Sequence, residues 1–311
     1  MKILVTGALG HIGSFLIREL PSQLDDIEEI RMLDNFSTQR YVSLFNLKNT
    51  PIYSFYESDV ATENIEGYLD GINCVINLAA KTDAASSFNN SDELMQNNIS
   101  CLKNISKFCS KLEIPIIHIS STSVYGDQSS MVDENCKIDK LRPQSPYAES
   151  KIIEEEFLLQ SKDLRFIIFR FGTIFGVSPG IRFHTAVNKF CYQASLGLPI
   201  TVWKTALNQK RPYLDIIDAV RSIAFIIKNQ KFENTVFNVV TCNHTVQEII
   251  DEIKNSISDI KINLVEHKIM NQLSYEVSAQ KIEDSGFEFI GSLKNQIFET
   301  LSLFKNLNKE K

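Results

Sequence analysis

The chain has 311 residues, of which 43% are hydrophobic and 23% are charged, and its formal net charge is −6. A chain of this length buries enough surface to fold without a disulfide or metal staple. Its acidic balance argues against sequence-independent binding of nucleic acid, which depends on clustered positive charge.

The cysteines and the hydropathy pattern exclude several further classes of protein. The six cysteines are scattered and form no CxxC pair, so we expect neither a disulfide framework nor a metal site. The first residues, MKILVTGALG, lack the long apolar stretch of a secretory signal. No run approaches the ~18 apolar residues that a membrane helix needs. The sequence therefore predicts a cytoplasmic protein that binds neither membrane nor nucleic acid.

Short runs rich in isoleucine and valine alternate with longer amphipathic stretches. The runs are almost continuously hydrophobic, which is typical of strands covered on both faces in a parallel sheet. Strands are predicted at residues 2–6, 29–33, 52–56, 74–78, 114–120 and 165–170. Helices are predicted between them at residues 12–24, 94–112 and 146–162. This alternation predicts an α/β fold with a doubly wound parallel sheet, the Rossmann architecture.

The pattern changes after residue 170. Glycine and proline become frequent in 171–212, and one more helix–strand pair follows at 216–228 and 235–240. We predict a Rossmann domain made of residues 1–170 plus 213–240. Residues 171–212 plus 241–311 are predicted to form a smaller C-terminal lobe that binds the substrate.

A glycine-rich loop follows the first strand and opens the first helix. Glycines at this place allow a tight turn, close approach of backbone N–H groups to a pyrophosphate, and close packing of the helix on the sheet. An acid follows the second strand about 20 residues later, where a carboxylate can accept the ribose hydroxyls of NAD. The alternative is an ordinary turn with a surface aspartate. The predicted cofactor contacts are Gly7, Gly10, His11, Ile12, Gly13 and Asp34.

Tyr147 and Lys151 are four residues apart near the start of the third predicted helix, so their side chains share one face. A free phenol has a pKa of about 10. One ammonium about 4 Å away contributes about 4 kcal/mol at an effective dielectric of about 20, which is about the energy needed to bring that pKa to about 7. Desolvation of the phenolate works against this effect, so the positive charge of an oxidised nicotinamide is also expected to help. Ser121, at the carboxyl end of the fifth strand, can hold a substrate oxygen while Tyr147 removes its proton. The alternatives are an amphipathic helix carrying the pair by chance and a serine-rich turn.

Together these motifs resemble the extended short-chain dehydrogenase/reductase family, in its NAD-dependent sugar-nucleotide epimerase/dehydratase group. The resemblance covers almost the whole chain, through TGALGHIG, LDN, NLAA, SSTSVYG, YAESK, RFGTIFG and RPYLDIIDA. It implies Ser121, Tyr147 and Lys151 as catalytic residues, and Arg211 as the group that holds the nucleotide diphosphate. It adds to the cofactor contacts Asn35, Asp59, Val60, Leu78, Ala79, Ala80 and Asn98, together with Tyr147 and Lys151.

Several positions depart from the family pattern. The dehydratases carry Asp-Glu where this chain has Thr122 and Ser123, so dehydration is disfavoured, and the missing acid also argues against decarboxylation. Thr173 replaces a common asparagine, and Asp215 stands where histidine or tyrosine is usual. Lys81 and Trp203 are equally compatible with ligand contact and with a solvated or buried structural position. The candidate substrate contacts are Lys81, Ser123, Thr173, Trp203 and Arg211.

The resemblance therefore implies an NAD-dependent epimerase that inverts a nucleotide-diphosphate sugar, at C4, through a transient keto sugar. A net oxidoreductase using the same residues and a non-catalytic NAD-binding regulator are the alternatives. The helices at 94–112 and 146–162 resemble those that pair in family dimers, which implies a homodimer. Family membership also suggests a place in polysaccharide biosynthesis.

Overall fold

The computed structural model describes residues 1–82, 88, 90–266 and 274–307. Its centre is a seven-stranded sheet in the order β3-β2-β1-β4-β5-β6-β10, in which every neighbouring pair is parallel. The strands of this sheet are β1 (Lys2–Thr6), β2 (Glu29–Asp34), β3 (Ile52–Glu57), β4 (Cys74–Asn77), β5 (Ile116–Ser121), β6 (Phe166–Phe171) and β10 (Thr235–Val239). The order reverses direction at β1, so that a crevice opens beside its carboxyl end.

Helices cover both faces of the sheet. They are α1 (His11–Gln23) and α5 (Ile216–Asn229) on one face, and α2 (Ser91–Leu112) and α3 (Pro146–Leu159) on the other. Successive side chains of a strand point to opposite faces, so Ile3 and Val5 join the core under α1 and α5, whereas Leu4 joins the core under α2 and α3. The predicted doubly wound α/β fold is confirmed.

The chain after β6 builds two smaller sheets. One has the order β11-β9-β7, and the other pairs β12 with β8 in parallel. Their strands are β7 (Thr173–Phe175), β8 (Ile200–Trp203), β9 (Lys210–Asp215), β11 (Cys242–Thr245) and β12 (Ile262–Val265). The remaining helices are α4 (Ala186–Ser195), α6 (Val246–Lys254), α7 (Gln280–Asp284) and α8 (Leu293–Ser302). A separate apolar cluster that includes Phe190, Val202 and Ile249 holds this region together. The division into a cofactor domain and a substrate lobe stays a prediction.

Helix α2 begins at Ser91, three residues before the predicted start at 94. The hydrophobic period gives no signal there because the first turn is polar. Asp92 and Glu93 nevertheless favour helix, since acidic side chains stabilise the positive end of the helix dipole. Among the residues that the structure describes, no helix is long and apolar enough to cross a membrane.

Asp215 joins two distant segments of the chain. It caps α5 by accepting a hydrogen bond from the Ile217 N–H at 2.9 Å, and its other carboxylate oxygen accepts one from the Ser292 N–H at 2.9 Å. The side chain is fully buried, and this burial raises the pKa of Asp215 to about 6. The residue that the motif comparison left without a role therefore anchors the segment that leads into α8.

This raised pKa predicts a pH-dependent stability. An unfolded aspartate loses its proton near pH 3.9, whereas folded Asp215 keeps it to about 6. At this residue the folded state therefore binds more protons, and its contribution to stability falls as pH rises from about 4 to about 6 and then levels off. Across this window, urea unfolding should show that the wild type loses roughly 3 kcal/mol more stability than Asp215→Asn. The exposed Asp70→Asn is the control and should keep the wild-type slope; equal slopes in all three proteins would contradict the assignment.

Candidate active site

Glycines let four segments of backbone meet beside the carboxyl end of β1. Gly7 has a φ of +64°, and a Cβ there would lie 2.8 Å from the Ala79 nitrogen. A Cβ on Gly13 would lie 2.6 Å from the Gly7 carbonyl oxygen, and one on Gly180 would lie 2.6 Å from the Leu9 carbonyl oxygen. No side chain fits at these contacts without displacing backbone. The loop thus keeps the bare shape that a pyrophosphate requires.

Asp34 holds this loop in place from the end of β2. Its Oδ2 accepts a hydrogen bond from the Leu9 N–H at 3.0 Å, and its Oδ1 accepts one from the Phe36 N–H at 3.0 Å. Arg40, which the motif analysis missed, lies close enough to lower the pKa of Asp34 against the larger upward effect of burial. The signal for Arg40 is its place in the same loop, six residues after the acid.

An open pocket of about 530 Å³ lies at the carboxyl ends of β2 and β3. It is lined by Asn35, Glu57, Ser58, Asp59 and Glu63. The Asn35 amide donates to Asp59 Oδ2 at 3.3 Å, so these two predicted cofactor residues do meet. Val60, beside them, is buried. The pocket offers polar acceptors where the adenosine end of a dinucleotide is expected.

The loop after β4 is built by hydrogen bonds to its backbone. Leu78 and Ala79 donate their N–H groups to the carbonyl and hydroxyl oxygens of Thr6, at 3.2 and 3.3 Å, and Ala80 follows them. Asn98 is buried and clamps the backbone of Lys81, donating to its carbonyl at 3.0 Å and accepting from its N–H at 2.8 Å. Asn98 therefore shapes this loop, and direct contact with the cofactor stays a prediction for it. The Lys81 ammonium pairs with Glu93.

His11 is buried under the segment that follows β7. Its Nδ1 lies 2.7 Å from Ser178 Oγ, and Ser14 Oγ accepts a hydrogen bond from the Gly180 N–H at 2.9 Å. Burial, helped by the positive charges of Arg182 and Arg40, lowers the pKa of His11 to about 3. The imidazole is therefore neutral at physiological pH. Its side chain packs the loop rather than carrying charge to the site. Ile12 follows it in the first turn of α1, half-buried.

Helix α3 places the predicted tyrosine–lysine pair. Ser145 caps it by accepting a hydrogen bond from the Ala148 N–H at 3.2 Å, with Pro146 in the first turn. Lys151 Nζ lies 5.9 Å from the centre of the Tyr147 ring. Ser121, at the end of β5, lies close enough to Tyr147 to lower its pKa against the larger upward effect of burial. The structure thus brings the three predicted catalytic side chains together.

The protein's own groups do not by themselves acidify the Tyr147 phenol. Burial raises the pKa of Tyr147, and the negative charge of Glu154 acts in the same direction. Lys151, Ser121 and the charge of Arg182 lower it, yet the balance of the protein's own groups is upward. Desolvation of the phenolate therefore outweighs the ammonium in the absence of ligands. Further positive charge has to come with the ligands, for which the sequence argument calls on the oxidised nicotinamide.

Two buried residues near Lys151, Glu154 and His118, escaped the motif analysis, while Asn77, which contacts His118, stands in the NLAA motif. Lys151 Nζ donates to Glu154 Oε2 at 2.7 Å, and His118 Nε2 lies 3.0 Å from the same oxygen. His118 Nδ1 in turn lies 3.1 Å from Asn77 Nδ2. The only sequence signal for these two was the i, i+3 spacing of Lys151 and Glu154, because the histidine comes from β5.

The predicted substrate residues lie on several elements. Arg211 is on β9, and its Nε and one Nη have no hydrogen-bond partner in the described part of the chain. Thr173 on β7 faces Tyr213 of β9 in the strand register. Ser123 donates to Ser121 Oγ at 2.9 Å. Trp203 ends β8 in the other small sheet, so the prediction that it touches a nucleotide stays open.

The family model named NAD dependent epimerase/dehydratase family matches residues 3–239. The chain belongs to this family. The family resemblance proposed from the motifs is therefore confirmed, and the cofactor of the family is NAD, as predicted. The cradle at Gly7 and Gly13 fits that dinucleotide because it leaves the backbone free to approach the phosphates. Asp34, which holds the same loop, is the carboxylate that fits the ribose hydroxyls.

Relatives of this family member include epimerases and dehydratases. A Bacillus subtilis (strain 168) protein described as an uncharacterized UDP-glucose epimerase is 30% identical over 239 residues, which are 73% of this chain and 72% of that protein. An Arabidopsis thaliana trifunctional UDP-glucose 4,6-dehydratase, 3,5-epimerase and reductase is 27% identical over 312 residues. That match takes in 92% of this chain but 44% of the plant enzyme, so the chain spans less than half of its length.

Two solved structures show the same fold. The UDP-glucuronic acid 4-epimerase of Bacillus cereus, with UDP-glucuronic acid and NAD, superposes with a TM-score of 0.86 at 23% identity, covering 99% of this chain and 100% of that one. The dTDP-glucose 4,6-dehydratase DesIV of Streptomyces venezuelae, with NAD, gives a TM-score of 0.88 at 20% identity, covering 98% and 97%. Because an epimerase and a dehydratase match equally well, the fold does not choose between the two reactions.

The bare backbone contact at Gly13 generates a prediction. Gly13→Ala should displace the glycine loop, because the new Cβ would lie 2.6 Å from the Gly7 carbonyl oxygen. We expect NAD affinity, measured by calorimetry, to fall by about tenfold or more, a loss of at least about 1.4 kcal/mol. Gly67→Ala is the matched control, since a Cβ there meets nothing within 4 Å. Unchanged affinity in Gly13→Ala would show that the loop does not hold the dinucleotide.

Proposed function

We propose that this protein is an NAD-dependent epimerase of a nucleotide-diphosphate sugar, which inverts C4 through a transient keto sugar. The observation that carries the proposal is the cluster of Tyr147, Ser121 and Lys151 beside the glycine loop. A hydroxyl base, a hydroxyl donor and a fixed ammonium at the carboxyl edge of the sheet suit removal and return of one alcohol proton.

Each side chain has a distinct task in this mechanism. Ser121 holds the sugar oxygen, and Tyr147 accepts its proton. Before this transfer, Lys151 stabilises the negative charge of the phenolate oxygen, which the proton then neutralises. Bound NAD supplies the site that accepts a hydride and gives it back. The keto sugar then rotates in the site, so that its other face receives the hydride. Tyr147 returns the proton to the same oxygen, and no net oxidation occurs.

The residues after Ser121 favour epimerisation over dehydration. Elimination of a sugar hydroxyl needs a proton donor beside the leaving group. The two positions that would supply an acid hold Thr122, whose hydroxyl donates to the Phe171 carbonyl at 3.3 Å, and Ser123, whose hydroxyl donates to Ser121. Neither side chain carries an acid. The B. subtilis relative, 30% identical, is described as an uncharacterized UDP-glucose epimerase, which supports the same class of reaction.

Arg211 supports the assignment of a nucleotide diphosphate as the part of the substrate that is attached to the sugar. A guanidinium with unpaired N–H groups is suited to charge-assisted hydrogen bonds with phosphate oxygens. Arg211 lies in the region that we propose to bind the substrate, residues 171–212 and 241–311. Thr173 lies on β7, the strand next to β9. The net oxidoreductase remains the second candidate, because it would use the same three catalytic side chains.

The proposal predicts the behaviour of Tyr147→Phe. Loss of the phenol oxygen removes the base, so turnover should fall by about 10³-fold or more while NAD binding stays within about twofold. Interconversion of nucleotide sugars is followed by NMR and NAD binding by calorimetry. Tyr192→Phe, on α4, is the control with wild-type turnover. Wild-type turnover in Tyr147→Phe would refute the mechanism, and a stoichiometric change in nicotinamide absorbance on adding substrate would favour the net oxidoreductase.

We further propose a homodimer formed through α2 and α3. These helices pack side by side, and the outer face of α3 exposes Ile153 and Leu159, while α2 exposes Leu112 at its end. Light scattering should give twice the monomer mass for the wild type. Ile153→Glu should give the monomer mass, because it would bury a charge in the interface. The equally nonconservative Ile290→Glu, on an exposed loop position, should remain dimeric. A monomeric wild type would refute this assembly.

A further inference from the structure

The interior beneath Tyr147 contains a shared carboxylate. Lys151, Glu154 and His118 are each no more than 2% exposed. Glu154 Oε2 lies 2.7 Å from Lys151 Nζ and 3.0 Å from His118 Nε2. The other oxygen, Oε1, has no hydrogen-bond partner among the described residues. One carboxylate oxygen therefore faces two nitrogens from different elements.

The hydrogen bonds around His118 assign its tautomer. Asn77 Oδ1 accepts from the Thr6 hydroxyl at 2.8 Å, which turns its Nδ2 toward His118 Nδ1 at 3.1 Å. Because Nδ2 is a donor, Nδ1 has to accept, and the ring proton then lies on Nε2, facing Glu154. Burial lowers the pKa of His118, so the ring is neutral. His118 Nε2 lies 3.0 Å from Glu154 Oε2 but does not meet the geometry of a hydrogen bond, so the neutral imidazole packs beside the carboxylate without neutralising it.

A buried ammonium needs this carboxylate. Desolvation alone lowers the pKa of a fully buried lysine by up to about 3–5 units. Glu154, followed by Tyr147, more than offsets that effect and raises the pKa of Lys151 above its ordinary value. An amine without the carboxylate would give up its proton before the phenol does, and a neutral amine does not stabilise a phenolate.

We propose that Glu154 is a positioning residue: together with His118 it fixes Lys151 Nζ on the face of α3 that Tyr147 shares, and it keeps that amine protonated throughout turnover. The inference rests on the proposed role of Tyr147 as the base. It assigns a task to a side chain that touches neither cofactor nor substrate in the mechanism above.

Other charged or titratable groups face the cluster from each neighbouring element. Cys101 of α2 lies next to it, and burial raises the pKa of that thiol to about 12, so it stays uncharged. Asp59, after β3, acts on Cys101, and Arg182, after β7, acts on Tyr147. Glu155 of α3 acts on His118 but is itself paired with Arg170 at 2.6 Å. Glu154 is therefore the anion paired directly with Lys151.

The test is the pH–rate profile of Glu154→Gln. In the wild type the rising limb reports loss of the Tyr147 proton while Lys151 stays charged. In the variant the first proton leaves the buried amine instead. We expect the rising limb to move to lower pH and the plateau kcat to fall by about tenfold or more, with KM within about twofold.

Two further comparisons separate position from charge. Glu154→Asp keeps the charge and should recover part of kcat. Glu156→Gln makes the same change two residues along α3, at a half-buried position, and should match the wild type. The amide nitrogen of His118→Gln would take the place of Nε2 and can face Glu154. The shorter amide of His118→Asn would take the place of Nδ1 and cannot reach Glu154, so only the asparagine variant should lose kcat. These variants also keep the inference testable should Glu154→Gln fold poorly.

A stability measurement is independent of turnover and of NAD. Glu154→Gln and Lys151→Met form a double-mutant cycle read by urea unfolding. Glu154→Gln should lower the unfolding midpoint in the wild type, and by less than about half as much in the Lys151→Met background, because no buried ammonium is then left unpaired.

The outcomes distinguish the two proposals. Turnover in Tyr147→Phe would overturn the proposed function, while a coupled Lys151–Glu154 cycle would still stand. A Glu154→Gln enzyme with wild-type kcat and an unmoved rising limb would overturn the positioning role. A fall in stability with an unmoved limb would also overturn it, since that is the result of a merely structural ion pair.

Discussion

The close approach of bare backbone at the carboxyl end of β1 is the constraint on which the site depends. Gly7 lies against the loop after β4, and Gly13 lies against Gly7. Gly180 lies against Leu9 and Gly10, so it packs on the glycine loop itself. A methyl group at any of these contacts would separate the segments. The loop is further tied to β2 by Asp34, which accepts the Leu9 N–H. Close packing of backbone therefore sets how the glycine loop, the loop after β4 and the segment at Gly180 lie against one another.

Buried charge is the second determinant of this site. Two carboxylates adjacent on α3 point inward and do different work. Glu155 forms hydrogen bonds with Arg170, and Ser120 pairs with it as well, so it locks α3 onto β5 and β6. Glu154 faces Lys151 instead. Desolvation of two buried charges costs much of the free energy that their mutual attraction contributes. Such pairs therefore add little to stability, and here they fix the geometry of the side chains. The Glu155 pair holds the helix, and the Glu154 pair holds the amine that the helix presents.

Local sequence patterns could predict one part of this arrangement but not the other. The strands, the glycine loop and the Tyr147–Lys151 spacing follow from periodicity and from residues close in the chain, and the structure has them within a few residues of the predicted places. The place of His118 beside Glu154 could not be found in this way, because His118 comes from β5 and Glu154 from α3. Asp215 could not be interpreted for the same reason, since its partner Ser292 is 77 residues away. The motif also does not report how strongly burial raises the pKa of the Tyr147 phenol, an effect that outweighs the Lys151 ammonium.

The buried polar chain also bears on which of the two candidate reactions suits this interior. From Lys151 it passes through Glu154, His118 and Asn77 to Thr6, and all five side chains are buried. A net dehydrogenase releases one proton to solvent in every turnover, so its base benefits from a route outward. This chain of groups ends at Thr6, which is buried, so the chain itself does not lead to solvent among the described residues. An epimerase returns the proton to the oxygen from which it came, and its base then benefits from isolation, because the proton stays where the second half of the reaction needs it.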